Sequence, residues 1–355
     1  LERGDHLLVV LQNRWEMASL HWACQFAGIV ITPLNWRAKA DEIDYCLHDS
    51  GARALIFESV VQIAVNASAQ AANVIRVGVG LVQDVQANFE DWTSSSFVPT
   101  PQASAEDMSL MLYTSGTTGN PKGVVHTHGT LIDRAQAGAE FDHLTSDEDV
   151  LAYLPPAWIG QNIFSYAQWL VAGYVVNCPE SMATVTIDLK EIGPTYYFAP
   201  PRVFEGMLTS VSIRMEDASS LKRNLYTYFM RLAKEVGPKR MDGESIGFFN
   251  SLLYGLGNLL VYGPLRNNLG FSRVRVAYTA GEAIGPDLFT FYRSIGVNLK
   301  QLYGSTETAV FVCLQPDNQA RADTVGVPCR GVEIKVADNG EILVRSPGLL
   351  KGYYK

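Results

Sequence analysis

One short segment limits what this chain can fold into more than any other. Residues 113–123 read Tyr-Thr-Ser-Gly-Thr-Thr-Gly-Asn-Pro-Lys-Gly. Glycine tolerates positive φ and lets the backbone approach an anion closely. Consecutive backbone N–H groups in such a turn form an anion-binding concavity, and serine and threonine add hydroxyl donors. Lys122 adds a mobile positive charge suited to phosphate. The segment therefore predicts a phosphate-binding loop.

This segment is not a P-loop, and its neighbours argue against a linker. The P-loop pattern requires a glycine before its lysine and a hydroxyl residue after it. Here Pro121 precedes Lys122 and Gly123 follows it. Gly/Ser/Thr stretches are often solvated linkers, but Met111–Tyr113 and Val124–Val125 predict strands on either side. A loop held between two strands is more often a binding site.

Composition limits the class of protein. The chain has 355 residues, 47% hydrophobic content and a net charge of −8, which predicts a large core in two or three lobes. The acidic balance argues against nucleic-acid binding, because such proteins carry a basic face. Five cysteines without a C-x-x-C pair indicate neither a disulfide framework nor a zinc site. Buried thiols in a reducing, cytoplasmic setting are the simpler interpretation.

Strand-like and helix-like segments alternate along the first part of the chain, which predicts βαβ units and a largely parallel sheet. Asp41 is the expected N-cap of one of these helices and Gly51 its expected C-cap. The predicted strands are Leu7–Leu11, Ile29–Pro33 and Ala54–Phe57, and the predicted helices are Trp15–Gly28 and Ala40–Ser50.

The stretch from Glu205 to Arg275 has a different pattern. Five apolar residues recur at helical spacing and predict an amphipathic helix: Leu221, Leu225, Phe229, Leu232 and Val236. Residues 246–265 then contain no charged side chain. That length meets the crude criterion for a membrane span, but its glycines, asparagines and Pro264 favour a buried helical hairpin instead. Interfacial contact with lipid is the second alternative.

Strand-like residues near the C-terminal end predict a small β unit. Val332–Val336 and Glu341–Arg345 both alternate apolar and polar residues, and Asp338–Gly340 between them is a hairpin-turn signal.

Three motifs in order resemble those of the adenylate-forming enzymes, which include acyl-CoA synthetases, peptide-synthetase adenylation domains and luciferases. The loop at 113–123 matches the family's signature loop, Tyr278–Ala283 its adenine-side turn, and Tyr303–Thr308 its Y-G-x-T-E motif. The resemblance implies an α/β fold of stacked, mostly parallel sheets with helices on their faces and a small C-terminal β subdomain. We expect subdomains at 1–204, 205–309 and 310–355.

The resemblance also assigns roles to individual residues. It implies that Lys122, Thr306 and Glu307 are catalytic, that Glu307 and Thr114 bind Mg²⁺, and that Tyr303 stacks on adenine. Backbone from Gly281 to Ala283 would then read the adenine amino edge. The residues expected to bind ATP are Thr114, Ser115, Gly116, Thr117, Thr118, Gly119, Lys122, Gly281, Glu282, Ala283, Tyr303, Gly304, Ser305 and Thr306.

Two positions depart from the family pattern. Glu282 stands where many members have a small residue. Trp158, in Leu154-Pro-Pro-Ala-Trp158, stands where members usually have a histidine that helps to place the carboxylate. An indole donates one hydrogen bond and accepts none, so we interpret Trp158 as a gate on an apolar tunnel or as a packing residue. With Trp158, Tyr278 and Thr279 are the candidates for the substrate pocket.

The resemblance implies an ATP-dependent long-chain fatty-acid–CoA ligase, with a fatty acid and coenzyme A as its partners. An acyl-AMP ligase for a carrier protein, an aryl-acid–CoA ligase and a non-catalytic nucleotide-binding relative are the alternatives. We expect the family's T-G-D motif, and a mobile C-terminal domain that contributes an essential lysine, to lie outside these residues. Residues 1–355 alone should therefore show little turnover.

Overall fold

A computed structural model describes residues 1–94, 103–114 and 119–355 of the chain, without the side chains of residues 93 and 94. The strands are β1 His6–Val10, β2 Val30–Pro33, β3 Ala54–Glu58, β4 Ile75–Val79, β5 Ala87–Asn88, β6 Met108–Thr114, β7 Lys122–Thr127, β8 Asp149–Leu151, β9 Val175–Asn177, β10 Tyr196–Phe198, β11 Val276–Thr279, β12 Leu299–Tyr303, β13 Cys313–Leu314, β14 Val327–Pro328, β15 Glu333–Val336 and β16 Ile342–Arg345. The helices are α1 Trp15–Ala27, α2 Ala40–Ser50, α3 Gln62–Ala67, α4 His128–Phe141, α5 Ile159–Gln161, α6 Gln168–Ala172, α7 Val185–Ile192, α8 Pro201–Glu216, α9 Ser220–Met241, α10 Phe248–Gly257, α11 Gly263–Leu269 and α12 Pro286–Ser294.

The first sheet has seven strands in the order β5-β4-β3-β1-β2-β6-β7. All neighbours in it are parallel except β6 and β7, which form an antiparallel pair. In β1, Leu7 and Val9 pack into one hydrophobic cluster, while Leu8 and Val10 pack into another. Alternate residues face opposite sides of a strand, so both faces of this sheet are covered. The α/β fold predicted from the alternating pattern is confirmed.

The second sheet has five strands in the order β10-β11-β12-β13-β14. Strands β10, β11 and β12 are parallel, and β13 and β14 continue the sheet in antiparallel pairs. Strand β10 precedes residue 204 and β13 follows residue 309, although both belong to this sheet. The subdomain boundaries at 204 and 309 stay predictions.

Two predicted elements, the C-terminal hairpin and the helix over Ala40–Ser50, can be compared directly with the structure. The C-terminal hairpin is confirmed, since β15 and β16 pair antiparallel. The helix over Ala40–Ser50 is also confirmed, with Gly51 as C-cap at φ 65°. Asp41 as its N-cap is wrong. The helix begins after Lys39, whose backbone N–H donates to the Glu42 carboxylate at 2.8 Å, so Asp41 lies in the first turn.

The helical segment after α8 buries less apolar surface than its sequence predicts. Phe229 and Val236 of α9 are buried, but Leu221 is 73% exposed. Residues 246–265 form α10, a π-helical turn over Asn258–Tyr262 and the start of α11. Much of this segment is exposed, so the interpretation as a buried hairpin is wrong for its outer face. Among the helices of the described residues, none combines the length and apolar character needed to cross a lipid bilayer.

Candidate active site

The predicted phosphate loop connects the antiparallel strands β6 and β7. Thr114, at the end of β6, pairs with Lys122, at the start of β7. Tyr45 of α2 donates from its hydroxyl to the Pro121 carbonyl at 2.8 Å, which fixes the far side of the loop. Gly119 has φ 124°, a conformation that glycine adopts readily. Lys122 is exposed and Thr114 is half-buried. Four of the predicted ATP-binding residues lie outside the described residues: Ser115, Gly116, Thr117 and Thr118.

A tight turn after β12 holds the predicted catalytic residues Thr306 and Glu307. Gly304 packs so closely on the backbone of Val310 that a Cβ there would lie 1.4 Å from the Val310 carbonyl oxygen. Val310 has φ 73°, an uncommon conformation for a β-branched residue. Backbone of this kind persists only where its surroundings determine it, and it is frequent at functional sites. Thr306 and Glu307 are both half-buried at this turn.

His126 joins the phosphate-loop hairpin to this turn. It lies in β7, is fully buried, and its Nε2 is 2.6 Å from the Thr306 carbonyl oxygen. A carbonyl only accepts, so Nε2 carries the proton. Burial disfavours the charged imidazolium and lowers the pKa of His126, against an opposing effect of the hydrogen bond to Thr306. The sequence interpretation missed His126. A histidine on an apolar strand directly after the loop was the available signal.

Tyr353 contacts two of the predicted catalytic residues, Lys122 and Glu307. Its hydroxyl donates to Glu307 Oε1 at 3.1 Å, and Lys122 Nζ lies 5.2 Å from the centroid of its ring. The backbone N–H of Leu350 donates to the Glu307 carbonyl at 2.8 Å. Burial and the neighbouring Glu307 carboxylate raise the pKa of Tyr353. No local motif predicts this contact, because Tyr353 follows Glu307 by 46 residues.

The residues present suit magnesium better than a metal held by protein alone. No group of three or more His, Cys, Asp or Glu side chains is placed to hold a metal among the described residues. Mg²⁺ usually takes one or two carboxylates together with substrate phosphates and water. Glu307 would supply a carboxylate, and Thr114, at the end of β6, would supply a hydroxyl. The residues therefore fit an ion that arrives with ATP.

The adenine-side residues line a cavity of about 430 Å³. Gly281, Glu282 and Ala283 form one wall, Tyr303 and Gly304 a second, and residues 322–325 a third. Gly281 lies two residues after the end of β11 and has φ 97°. The structure therefore brings together the predicted adenine-side residues, which come from the ends of two neighbouring parallel strands. Such strand ends are where α/β sheets bind ligands.

Two buried glutamines hold the third wall. Gln301 Nε2 lies 3.0 Å from the Ala322 carbonyl and 2.9 Å from the Thr324 carbonyl. Gln315 Nε2 lies 2.7 Å from the same Thr324 oxygen, and its own Oε1 accepts from the Gln301 backbone N–H at 2.7 Å. Sequence reasoning missed both residues. Each glutamine hydrogen-bonds to backbone carbonyls later in the chain, and no local motif marks these contacts.

A second cavity of about 410 Å³ adjoins the first and shares Gly281, Leu302 and Gly304 with it. Polar groups at one side belong to Thr114, Ser305 and Thr306. The remaining lining is mostly apolar and consists of Tyr113, Ala157, Trp158, Ile159, Gly160, Phe198, Pro200, Ala280 and Val310. A polar side and an apolar side thus meet in a single cavity.

Of the three substrate-pocket candidates, the structure places only Trp158 on this cavity. Trp158 is 39% exposed, and its carbonyl accepts from Asn162 Nδ2 at 2.8 Å, which holds the turn. Tyr278 is fully buried and donates its hydroxyl to Asp142 at 3.1 Å. Thr279 is also fully buried, and its hydroxyl has no hydrogen-bond partner among the described residues. Neither lies in the cavity lining; the next residue, Ala280, does.

Comparison with known families agrees with this geometry. A model of the AMP-binding enzyme family matches residues 1–354. The chain belongs to the AMP-binding enzyme family. The predicted membership in the adenylate-forming superfamily is therefore confirmed.

Relatives and solved structures extend the comparison. The chain is 26% identical over 370 aligned residues to the long-chain-fatty-acid–CoA ligase FadD15 of Mycobacterium bovis, covering 100% of this chain and 60% of that protein. It is 28% identical over 278 residues to the peroxisomal long chain acyl-CoA synthetase 7 of Arabidopsis thaliana, covering 74% and 38%. The chain thus spans about half the length of the curated relatives it matches.

A crystal structure of a long-chain-fatty-acid-CoA ligase (FadD1) from Archaeoglobus fulgidus superposes on the chain with a TM-score of 0.75. At 19% identity, it covers 100% of this chain and 65% of that one. At that identity the likeness shows the fold alone.

Proposed function

We propose that the protein activates a long-chain fatty acid with ATP, first to an acyl adenylate with release of pyrophosphate and then to acyl-CoA. The observation that carries the proposal is the cavity of about 410 Å³. Its polar side lies at the phosphate-loop hairpin and the Thr306 turn, and its apolar side can accommodate an alkyl chain. The names of the curated relatives point to the same substrate class.

The chemistry requires two anions to meet, since a carboxylate attacks the α-phosphorus while pyrophosphate leaves. The site must neutralise charge and hold the reactants in line. Lys122 and the loop that starts at Thr114 would hold the leaving phosphates. Thr306 would contact the α-phosphate, and Glu307 would hold Mg²⁺, which supplies charge neutralisation when bound. Tyr303 would stack on adenine, at the edge of the cavity formed with Gly281–Ala283.

The alternatives keep part of this chemistry. An acyl-AMP ligase would transfer the acyl group to a carrier protein instead of coenzyme A. An aryl-acid–CoA ligase would accept a planar acid. The apolar lining of the cavity, which includes Phe198 and Val310, suits an alkyl chain. A non-catalytic relative would have no need of charged groups at the site. Lys122, Thr306 and Glu307 stand at the positions where the family motifs have their charged and hydroxyl residues, which favours an active enzyme.

A pyrophosphate-release assay on the full-length protein tests the proposal. The acids should range from short to long alkyl chains and include aryl acids, each with and without coenzyme A. We expect release with long alkyl acids, and acyl-CoA only when coenzyme A is present. Release with aryl acids alone would support the aryl-acid alternative and refute the long-chain assignment.

The variant Glu307→Gln tests the metal assignment. It keeps the shape of the side chain and removes its charge, so pyrophosphate release should be abolished while the melting temperature stays close to that of the wild type. Glu333→Gln, on the exposed strand β15, is the matched control and should leave release unchanged. Wild-type activity in Glu307→Gln would show that the metal ligand lies elsewhere.

Trp158 is proposed as a gate on the apolar side of the cavity. Trp158→Ala should shift the preferred acid length, because it opens the wall next to Ile159 and Gly160. The control is Trp15→Ala, which removes an exposed indole at the start of α1, away from this cavity. Identical rates across all acid lengths in wild type and Trp158→Ala would refute the gate and leave Trp158 as a packing residue.

A further inference from the structure

The outer face of α10 and the turn after it is a continuous row of exposed apolar side chains. Phe248 is 84% exposed and Leu259 is 73% exposed, on the side of the helix opposite to the buried Tyr254 and Gly257. At 100° per residue the exposed members fall on one side of the helix. We call this surface the α10 face, and it consists of Phe248, Phe249, Leu252, Leu256, Leu259 and Leu260.

The α10 face is held rigidly by the helix beneath it. Tyr262 donates its hydroxyl to the Phe229 carbonyl of α9 at 2.6 Å. Tyr254 donates to the Ser294 carbonyl at the end of α12 at 2.8 Å. Gly257 lies so close to Phe229 that a Cβ there would be 2.7 Å from its ring. The outward direction of the apolar residues is therefore fixed by tyrosine and glycine contacts on the inner side.

Apolar side chains fixed toward solvent require a partner. Large exposed apolar patches on soluble proteins mark interaction or membrane surfaces. Covering this face would remove several large apolar side chains from water, which favours association. The question is which kind of partner covers it.

Charge around the face identifies the partner. Residues 220–269 contain seven Lys and Arg against three Asp and Glu, a net charge of +4 in a chain whose total is −8. Residues 246–265 have no charge, while Lys239 and Arg240 precede them and Arg266 follows. Leu221, exposed beside Lys222 and Arg223 at the start of α9, repeats the combination of apolar and basic residues. An acidic protein therefore concentrates positive charge around its apolar face.

We propose that the α10 face docks on an anionic lipid surface, with α10 lying in the plane of the interface. An apolar face flanked by lysine and arginine is the pattern of helices that bind at membrane interfaces. A ten-residue helix is about 15 Å long, which is too short to span a bilayer. Docking of a second copy through this face would bring two basic surfaces together, so charge disfavours it. The proposal does not depend on ligase activity, although a long-chain acid dissolved in lipid would reach the enzyme there.

Vesicle sedimentation of the full-length protein tests the proposal. The vesicles are phosphatidylcholine alone, or phosphatidylcholine with about 30 mol% phosphatidylglycerol, both free of fatty acid and ATP. We expect the wild type to sediment with the anionic vesicles and to dissociate as salt is raised. The double variant Phe248→Ser, Leu252→Ser should bind at least about tenfold more weakly than the wild type. The control is Ile63→Ser, Leu81→Ser, at positions 87% and 96% exposed elsewhere on the molecule, and it should bind like the wild type.

A charge variant separates lipid from other partners. Lys222→Gln with Lys234→Gln should weaken binding to anionic vesicles and reduce its salt dependence. Lys39→Gln with Lys335→Gln makes the same change in net charge away from the face. This control should bind anionic vesicles like the wild type. All four lysines are exposed, so each variant should melt at the wild-type temperature.

Three results would overturn the proposal. The first is absence of wild-type binding to anionic vesicles, and the second is unchanged binding by the Phe248→Ser, Leu252→Ser variant. The third is a concentration-dependent dimer in lipid-free solution that this variant abolishes, which would make a second copy the partner. Pyrophosphate release from a water-soluble acid without vesicles should be the same in all variants. A failure of the ligase assay would therefore leave the vesicle result intact, and the reverse also holds.

Discussion

Gly304→Ala is the substitution whose effect the structure determines most directly. A Cβ at Gly304 would lie 1.4 Å from the carbonyl oxygen of Val310 and 2.4 Å from its carbonyl carbon, whereas real Cβ contacts are essentially never under 3.0 Å. The backbone must therefore separate by at least about 1.6 Å at this point. The obstacle is backbone, which cannot rotate away as a side chain could.

The displacement falls on the residues that the proposed chemistry needs. Thr306 and Glu307 lie between the two ends of the contact, in a turn where Val310 already has φ 73°. A misplacement of about 1 Å in an active site can cost about 100-fold in rate. We expect Gly304→Ala to lower kcat/KM for adenylate formation about 100-fold or more. Strain of this kind typically costs about 1–3 kcal/mol of stability, so the variant should still fold.

Pyrophosphate release by full-length protein, with melting temperature as a check of folding, measures the effect. The matched control is Gly206→Ala in α8, where a Cβ would meet no atom within 4 Å. It should keep wild-type activity and gain slight stability, because alanine is favoured in helices. A folded Gly304→Ala protein within about threefold of wild-type kcat/KM would refute the reasoning, since about 1.6 Å of displacement cannot leave the site unchanged.

Three further predictions concern residues outside the family motifs. Tyr353→Phe removes a hydroxyl that competes with a cation for Glu307 Oε1, so half-saturation by Mg²⁺ in the pyrophosphate assay should fall about threefold, and a rise would contradict this. Gln301→Leu removes the hydrogen bonds that hold residues 322–325, so the affinity for ATP in an equilibrium binding assay should fall about tenfold. An unchanged Kd for ATP would contradict a role of this wall in binding. Burial holds the pKa of His21 at about 3, against about 6.5 when unfolded. The unfolded chain therefore binds the extra proton, and stability should fall below pH 6.5, by about 2 kcal/mol at pH 5 from this group. His21→Phe should flatten the decline in melting temperature between pH 7 and pH 5, and an equally steep decline would show that His21 is not its source.

The sequence predicted the parts of the site that local patterns determine. The loop between β6 and β7 and the turn after Tyr303 depend on glycines and hydroxyl residues within a few positions of each other. The sequence does not predict which residues of β11 line the cavity. Tyr278 and Thr279 both lie on a strand that is buried on both faces, so hydrophobicity does not distinguish its two sides. Sequence also could not find His126, whose partner Thr306 is 180 residues away.

The error over residues 246–265 has a related physical cause. An apolar, charge-free segment reads as buried because burial is the usual fate of such side chains. Whether it is buried depends on how much of the helix the rest of the fold covers. Tyr254 and Gly257 attach α10 by one side only, so the opposite side remains open whatever its hydrophobicity.

The position of His126 connects the two halves of the site. Lys122 and His126 are four residues apart on β7, a distance of about 13 Å along an extended strand. Lys122 stands at the phosphate loop, while His126 donates to the carbonyl of Thr306, the residue before Glu307. Strand β7 thus pairs with β6 along the loop hairpin and, through His126, contacts the backbone next to Glu307. Burial lowers the pKa of His126, so the imidazole stays neutral below its usual titration range and the hydrogen bond does not require a buried charge.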